Sequence, residues 1–426
     1  MTAEPARPPL RRPIGVALMF ATNGLTIASL LPWYPTLKAQ WSLSDLVYGL
    51  VVTGIGVGAL LALAVPAWAE RTFGARATMV AGTTVTALLL PVAVTAPGPA
   101  PFLLVLLALG AMDIVVDVSQ NVAAVRVQDR WGSSIMNSLH ACWSLGAVAG
   151  GAVGTAAAVR GADPVVHLVV VAVVLVAMVV VAAWMMGPVG RGTAEPVPEA
   201  GGDGTESTGR DAVPEGKDDG ADGAGATRAA GPPRARTLLL VAPVALVAMT
   251  GALSEEVPMS WAAVSAVELA AVPVTASGVA FTVFIAFHMF ARFLGDPLTD
   301  RLGTVAVARM GGLFVVAGGA CVVLAHGPWP LVAGYALVGW GCATLVPAAY
   351  AASASVPGVA EGTGLTIVSW LLRISVIVAS PAIGAVSDAT SLRVALGVLV
   401  IAGAVAAAGA SALAPRGTAG EPAGSA

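Results

Sequence analysis

Four polar side chains crowd one apolar stretch: Asp113, Asp117, Gln120 and Asn121. If that stretch is helical, steps of four place Asp113, Asp117 and Asn121 on a single face. Withdrawal from water disfavours an ionised carboxylate, so such a group can take up and release a proton near neutrality. Asp117 and Asp113 are therefore candidates for proton coupling, the alternative being structural acids hydrogen-bonded to a neighbouring helix. Arg373 lies about twelve residues from either end of another apolar run, too deep to snorkel to water. It must meet a carboxylate or an anionic group on a ligand. Glu255 and Glu256, followed by Pro258 and Trp261, stand in the outer third of a further run, as cavity lining or as part of a gate. His140 and His288 can titrate near neutrality or simply pack. Asn23, Trp33, Trp143 and Trp340 can wall a cavity for a ring-bearing solute or pack in a core.

Those residues need elements to hold them. Of 426 residues 57% are hydrophobic and 11% charged, with a mean hydropathy of +0.86. Globular domains carry roughly 25% charged residues, so the solvent for this chain is lipid. A span needs about 20 apolar residues. Runs fall near 13–36, 45–68, 76–96, 101–126, 134–158, 164–187, 237–263, 275–295, 304–325, 330–353, 361–385 and 391–413. The expected fold class is an all-α polytopic membrane protein with twelve transmembrane helices in two six-helix bundles. The domains are 1–187, a disordered cytoplasmic linker at 188–236 rich in Gly, Ala, Pro, Asp and Glu, and 237–426 with a short tail.

Charge sets the orientation. Arg7, Arg11, Arg12, Arg71, Arg76, Arg126, Arg130, Arg292, Arg301, Arg309 and Arg416 fall on one side, against Lys38, Arg160 and Arg393 on the other. By the positive-inside rule both termini and the linker are cytoplasmic. Trp33, Tyr34 and Trp41 then read as an outer aromatic belt. With Ala, Gly and Val dominant, as in GC-rich bacterial genomes, the expected location is a bacterial inner membrane. The net charge of −3 argues against a nucleic-acid partner. Cys142, Cys321 and Cys342 lie in apolar runs and suit packing rather than metal or disulfide chemistry. No His-Glu-x-x-His helix, nucleophile motif or phosphate-cradling loop is present, so neither an enzyme nor a cofactor is expected. A monomer is expected.

The halves repeat. An offset of 229 lays Gly49 on Gly278, Gly74 on Gly303 and Gly82 on Gly311. After the eighth run comes Gly295-Asp296-Pro297-Leu298-Thr299-Asp300-Arg301-Leu302-Gly303, with a degraded first-half copy at Glu70-Arg71-Thr72-Phe73-Gly74. Here a carboxylate can cap helix amides, an Arg can bridge to the facing bundle as a cytoplasmic latch, and Gly permits the turn. The Leu-x-Asp-Arg-x-Gly core resembles the loop signature of the major facilitator superfamily.

Further segments narrow the resemblance. Asp117-Val118-Ser119-Gln120-Asn121, Ile135–Gly146 with Asn137, His140 and Trp143, Phe293-Leu294-Gly295-Asp296, Ala336–Gly341 and Val346-Pro347 resemble the YbjJ-type, fucose-permease-like branch. The resemblance implies that Asp117, Asn121, Glu255 and His140 line a cavity between the bundles. The chain departs from that branch at Trp33 (usually basic), Ser260 (usually Asp), Thr344 (usually Asn), Ala28 (acidic in sugar–proton members) and Arg373 (usually neutral). These departures leave the cargo open. The expected function is secondary, proton-coupled transport of a small organic solute by alternating access. A proton-driven exporter and a non-transporting membrane sensor are the alternatives. Gly146, Gly150, Gly151 and Gly154 lack the following Pro of an antiporter signature and suit close helix packing.

Overall fold

In hydrocarbon, backbone amides must find partners within their own segment, so apolar runs become helices. The computed structural model describes residues 10–131, 135–187, 234–354, 356–360 and 362–414. Arg7, Arg416 and nearly all of the expected linker lie outside the described residues. In chain order the spans are α1 (Arg11–Gln40), α2 (Asp45–Leu61, then Val65–Phe73), α3 (Ala75–Val94), α4 (Pro99–Trp131), α5 (Met136–Val159) and α6 (Pro164–Met186). The second set is α7 (Arg234–Ala270), α8 (Val274–Leu302), α9 (Thr304–Val323), α10 (Pro328–Ala354), α11 (Thr363–Ala389) and α12 (Leu392–Leu413). Among the described residues eleven helices are long and apolar enough to cross a membrane, and bent α2 brings the number to twelve.

Two spans expected to be continuous are broken. The parts of α2 meet at 55°. Pro66 lacks an N–H, and its ring collides with a helical carbonyl four residues earlier, at Ala62, where the first part ends. In α10 the break between Cys342 and Leu345 stands in the same relation to Pro347. A third difference concerns α7, which runs on to Ala270. That extension moves Glu255 and Glu256 from the expected outer third to near mid-helix.

The internal repeat is plain in the backbone. The second part of α2 ends at Gly74 with φ 82° and ψ 154°, and α8 ends at Gly303 with φ 81° and ψ 151°. Side chains with a Cβ rarely adopt that region. Packing repeats as well. In the first half α1 packs on α5 and α6, α3 on α4 and α6, and α2 on α4. In the second half α7 packs on α11 and α12, α9 on α10 and α12, and α8 on α10. Each pair is its counterpart six helices on. Across the halves, α2 meets α11 and α8 meets α5, again as counterparts. The glycines of α5 serve these contacts: a Cβ on Gly146 would overlap the Ala21 carbonyl, and one on Gly151 would press on Phe281 and Thr282.

Gly303 has open space where a Cβ would go, so its constraint is conformational rather than steric. Gly303→Ala should therefore cost about 1–3 kcal/mol, read as a lower thermal midpoint of the purified protein. An unchanged midpoint would show that the turn relaxes freely.

Candidate functional site

The chain runs alternately between two ends of the bundle: a basic end, with Arg12, Arg71, Arg126 and Arg301, and a far end, with Lys38, Asp45 and Glu268. On α4 the expected face forms. The Asp117 carboxylate Oδ1 accepts from Gln120 Nε2 at 3.2 Å and Asn121 Nδ2 at 3.2 Å, and Asn121 Nδ2 also donates to the Asp117 carbonyl at 2.9 Å. Gln120 is fully buried, while Asp113 and Asp117 are half-buried. At 1.5 Å per residue Asp117 stands about 21 Å from Trp131 at the basic end and about 27 Å from Pro99 at the far end. Asp113 sits one turn nearer the far end, within electrostatic range of Asp117.

Arg373, on the other half, acts on this site at longer range. One face of α11 lies against α2: Gly384 abuts the Asp45 backbone, Ser380 abuts Gly49, and Ile377 faces Gly56. Seven residues return a helix to nearly the same face, so Arg373, two turns from Ser380, continues this stripe toward the basic end. It is half-buried and within electrostatic range of Asp117. Among the described residues it makes no ion pair or side-chain hydrogen bond.

A second cluster joins α7 and α8. Glu255 Oε1 lies 3.7 Å from His288 Nε2 and 3.9 Å from Arg292 Nη2. His288 is fully buried and neither ring nitrogen has a hydrogen-bond partner. Beside them Ser260 Oγ donates to Glu256 Oε1 at 2.6 Å. Arg292 was expected among the arginines of the basic side; instead it lies inside α8, about 15 Å before Leu302, with a buried Nε. Its acidic partner is 37 residues away in sequence, so no local pattern signals the pair.

The other expected cavity residues scatter. Trp143 Nε1 donates to Asn23 Oδ1 at 3.4 Å, linking α5 to α1. His140 packs edge-on to Phe20, ring centroids 5.2 Å apart. Trp33 and Tyr34 form no lipid-facing belt: they are 4% and 3% exposed, and Trp33 Nε1 donates to His167 Nδ1 at 3.1 Å. The loop motifs also differ from expectation. Glu70 pairs with Arg126 of its own half at 2.6 Å, while Arg71, Asp300 and Arg301 are exposed. Both α3 and α9 begin without a side-chain cap, so the turns rest on Gly74 and Gly303. Asp296, six residues before Leu302, lies inside α8 and is exposed.

The far end is where the halves are stitched together, by pairs that no local sequence pattern announces. Lys38 Nζ binds Asp45 at 2.7 Å and Glu268 of the other half at 2.5 Å. Asp388 accepts from the Asp45 and Leu46 amides at 2.9 and 3.1 Å, capping α2 from α11. Ser387 donates to Asp45. Tyr48 Oη donates to the Ser260 carbonyl at 2.5 Å, and its ring meets Trp261 edge-on with centroids 4.9 Å apart. A carboxylate accepting amide hydrogen bonds at a helix N-terminus also complements the helix dipole. Lys38 was the one lysine of the spans, a signal readable only with hindsight about its partner.

Gly384→Leu should hold this end apart, because any Cβ at that position overlaps the Asp45 backbone. Spin labels at residues 39 and 267 should show a short distance in the parent and a longer one in the variant. Identical distributions would mean that the seam does not control closure.

No family model matches this sequence. The chain is 24% identical over 404 residues to an uncharacterised MFS-type transporter of Yersinia pestis, covering 93% of this chain and 94% of that one. The crystal structure of the nucleoside transporter NupG superposes with a TM-score of 0.66 at 12% identity, covering 94% of this chain and 98% of that one. The crystal structure of FucP, a major facilitator superfamily transporter in the outward conformation, superposes with a TM-score of 0.57 at 16% identity, covering 95% and 99%.

Proposed function

We propose that this chain, which has the fold of the major facilitator superfamily, is a secondary active transporter that moves a small organic solute by alternating access with proton coupling. The observation that carries the proposal is the pairing of a closed far end with a half-buried carboxylate site at mid-depth. Transport requires a site that reaches one side at a time, and the Lys38–Glu268 and Asp388 links supply one closed state. With the arginine-rich end in the cytoplasm, the far end is the outer gate. The path to Asp117 then opens inward, and the protein sits in a bacterial inner membrane. On this reading residues 1–187 and 237–426 are the two rocking bundles and 188–236 is their tether. The resemblance of the α4–α5 segments to the fucose-permease-like branch supports a relationship to that group.

Asp117 is the proton site. Gln120 and Asn121 hold its carboxylate in one orientation, and Asp113 one turn away is the secondary acid. Asn121 and Arg373 are the nearest walls of the proposed cavity, with the Trp143–Asn23 link, His140 and the Glu255 cluster as its more distant lining when the halves rearrange. Glu70–Arg126 braces the inner end of the first bundle. The Gly74 and Gly303 turns, with Arg71, Asp296, Asp300 and Arg301, form the inner gate loops, whose latch engages when the inner side closes.

Asp117→Asn preserves shape and hydrogen bonding but removes the titratable group. In proteoliposomes the variant should still exchange solute across equal pH while losing accumulation driven by a pH gradient. Retention of gradient-driven accumulation would remove Asp117 from the proton path. An absence of flux by the parent for every solute tried would instead favour a membrane sensor.

A further inference from the structure

We infer that the solute is a monoanion bearing a carboxylate-like oxyanion, and that Arg373 is its anchor. The inference deepens the transporter reading and rests on it for the word transport, but the binding claim stands on the site itself. A guanidinium inside a span is costly unless something answers its charge, and breaking a buried pair typically costs more than the pair contributes. The other interior cation near mid-depth, Arg292, has Glu255 within 3.9 Å. Arg126 has Glu70, and Lys38 has two carboxylates. Arg373 has no contact of that kind among the described residues, only the more distant field of Asp117.

Its position is that of a group waiting for a partner between the halves. The α11 stripe that touches α2 at Gly384, Ser380 and Ile377 reaches Arg373 two turns on, past the last close backbone contact of the seam. The antiparallel register of the seam puts Arg373 beside the end of the first part of α2, after which α2 turns away by 55°. On the first half, the Asp117 carboxylate of α4 lies within electrostatic range of Arg373.

The chemistry of the site selects the ligand. Guanidinium offers parallel N–H donors in a rigid fork that matches the two oxygens of a carboxylate. A single negative charge is favoured, because Asp113 and Asp117 supply repulsion to a second. A cationic solute would be attracted to those acids but repelled by Arg373, and a neutral one would leave the guanidinium unanswered.

The test uses matched acid and amide pairs, which differ in charge while conserving shape: benzoate with benzamide, lactate with lactamide, nicotinate with nicotinamide. Thermal unfolding of the purified full-length protein should rise with concentration for at least one acid and not for its amide. Arg373→Gln should weaken that binding at least about tenfold, the loss expected for a hydrogen bond to a charged group. Arg373→Lys should retain part of it, the unliganded midpoint of neither variant should fall below the parent's, and their gel-filtration profiles should match it. The inference is overturned if amides stabilise as well as acids, if Arg373→Gln binds like the parent, or if no acid in the set shifts the midpoint. An acid that binds through Arg373 yet shows no flux in proteoliposomes would uphold the anion site and count against the transporter reading instead.

Discussion

Close packing on glycine at two seams, α2 on α11 and α8 on α5, is the constraint on which the architecture turns. Glycine makes both possible: Gly49 and Gly384 in one, Gly151 and Gly278 in the other. Hydrocarbon offers no hydrophobic drive between helices, so packing of small residues and interhelical polar contacts must hold them. The seams bring Lys38 to Glu268 and Tyr48 to Ser260. They also turn the α11 face that carries Arg373 toward the first half. Loosen the seams and both the gate and the site lose their geometry.

The duplicated design explains why the seams come as a pair. Gly74 and Gly303 share nearly the same dihedrals, and every major packing pair of the first half has a counterpart in the second. The polar decoration has diverged on this common frame. The first half carries the α4 acids, while the second carries Glu255, His288, Arg292 and Arg373. Such asymmetry gives the interface two chemically different walls.

Much of this was legible in the sequence for physical reasons. Apolar runs set the spans because lipid demands about 20 such residues, and the step of four from Asp117 to Asn121 correctly placed both on one face. Long-range pairs were not legible. Glu255 with Arg292, Glu70 with Arg126 and Asp388 with the α2 amides join residues whose proximity only tertiary packing creates. Trp33 was misplaced in a lipid belt because aromatic type does not reveal which face of α1 it occupies. The breaks in α2 and α10 were written in Pro66 and Pro347, but hydropathy is blind to a lost N–H.

The cap that Asp388 places on α2 joins the two halves through backbone rather than through a pair of side chains. When the halves part, the first amides of α2 are stripped of a charged acceptor, and only water can replace it. Opening of the far end is thus inseparable from wetting of a helix end. The medium at that end meets two bare N–H groups before any solute arrives.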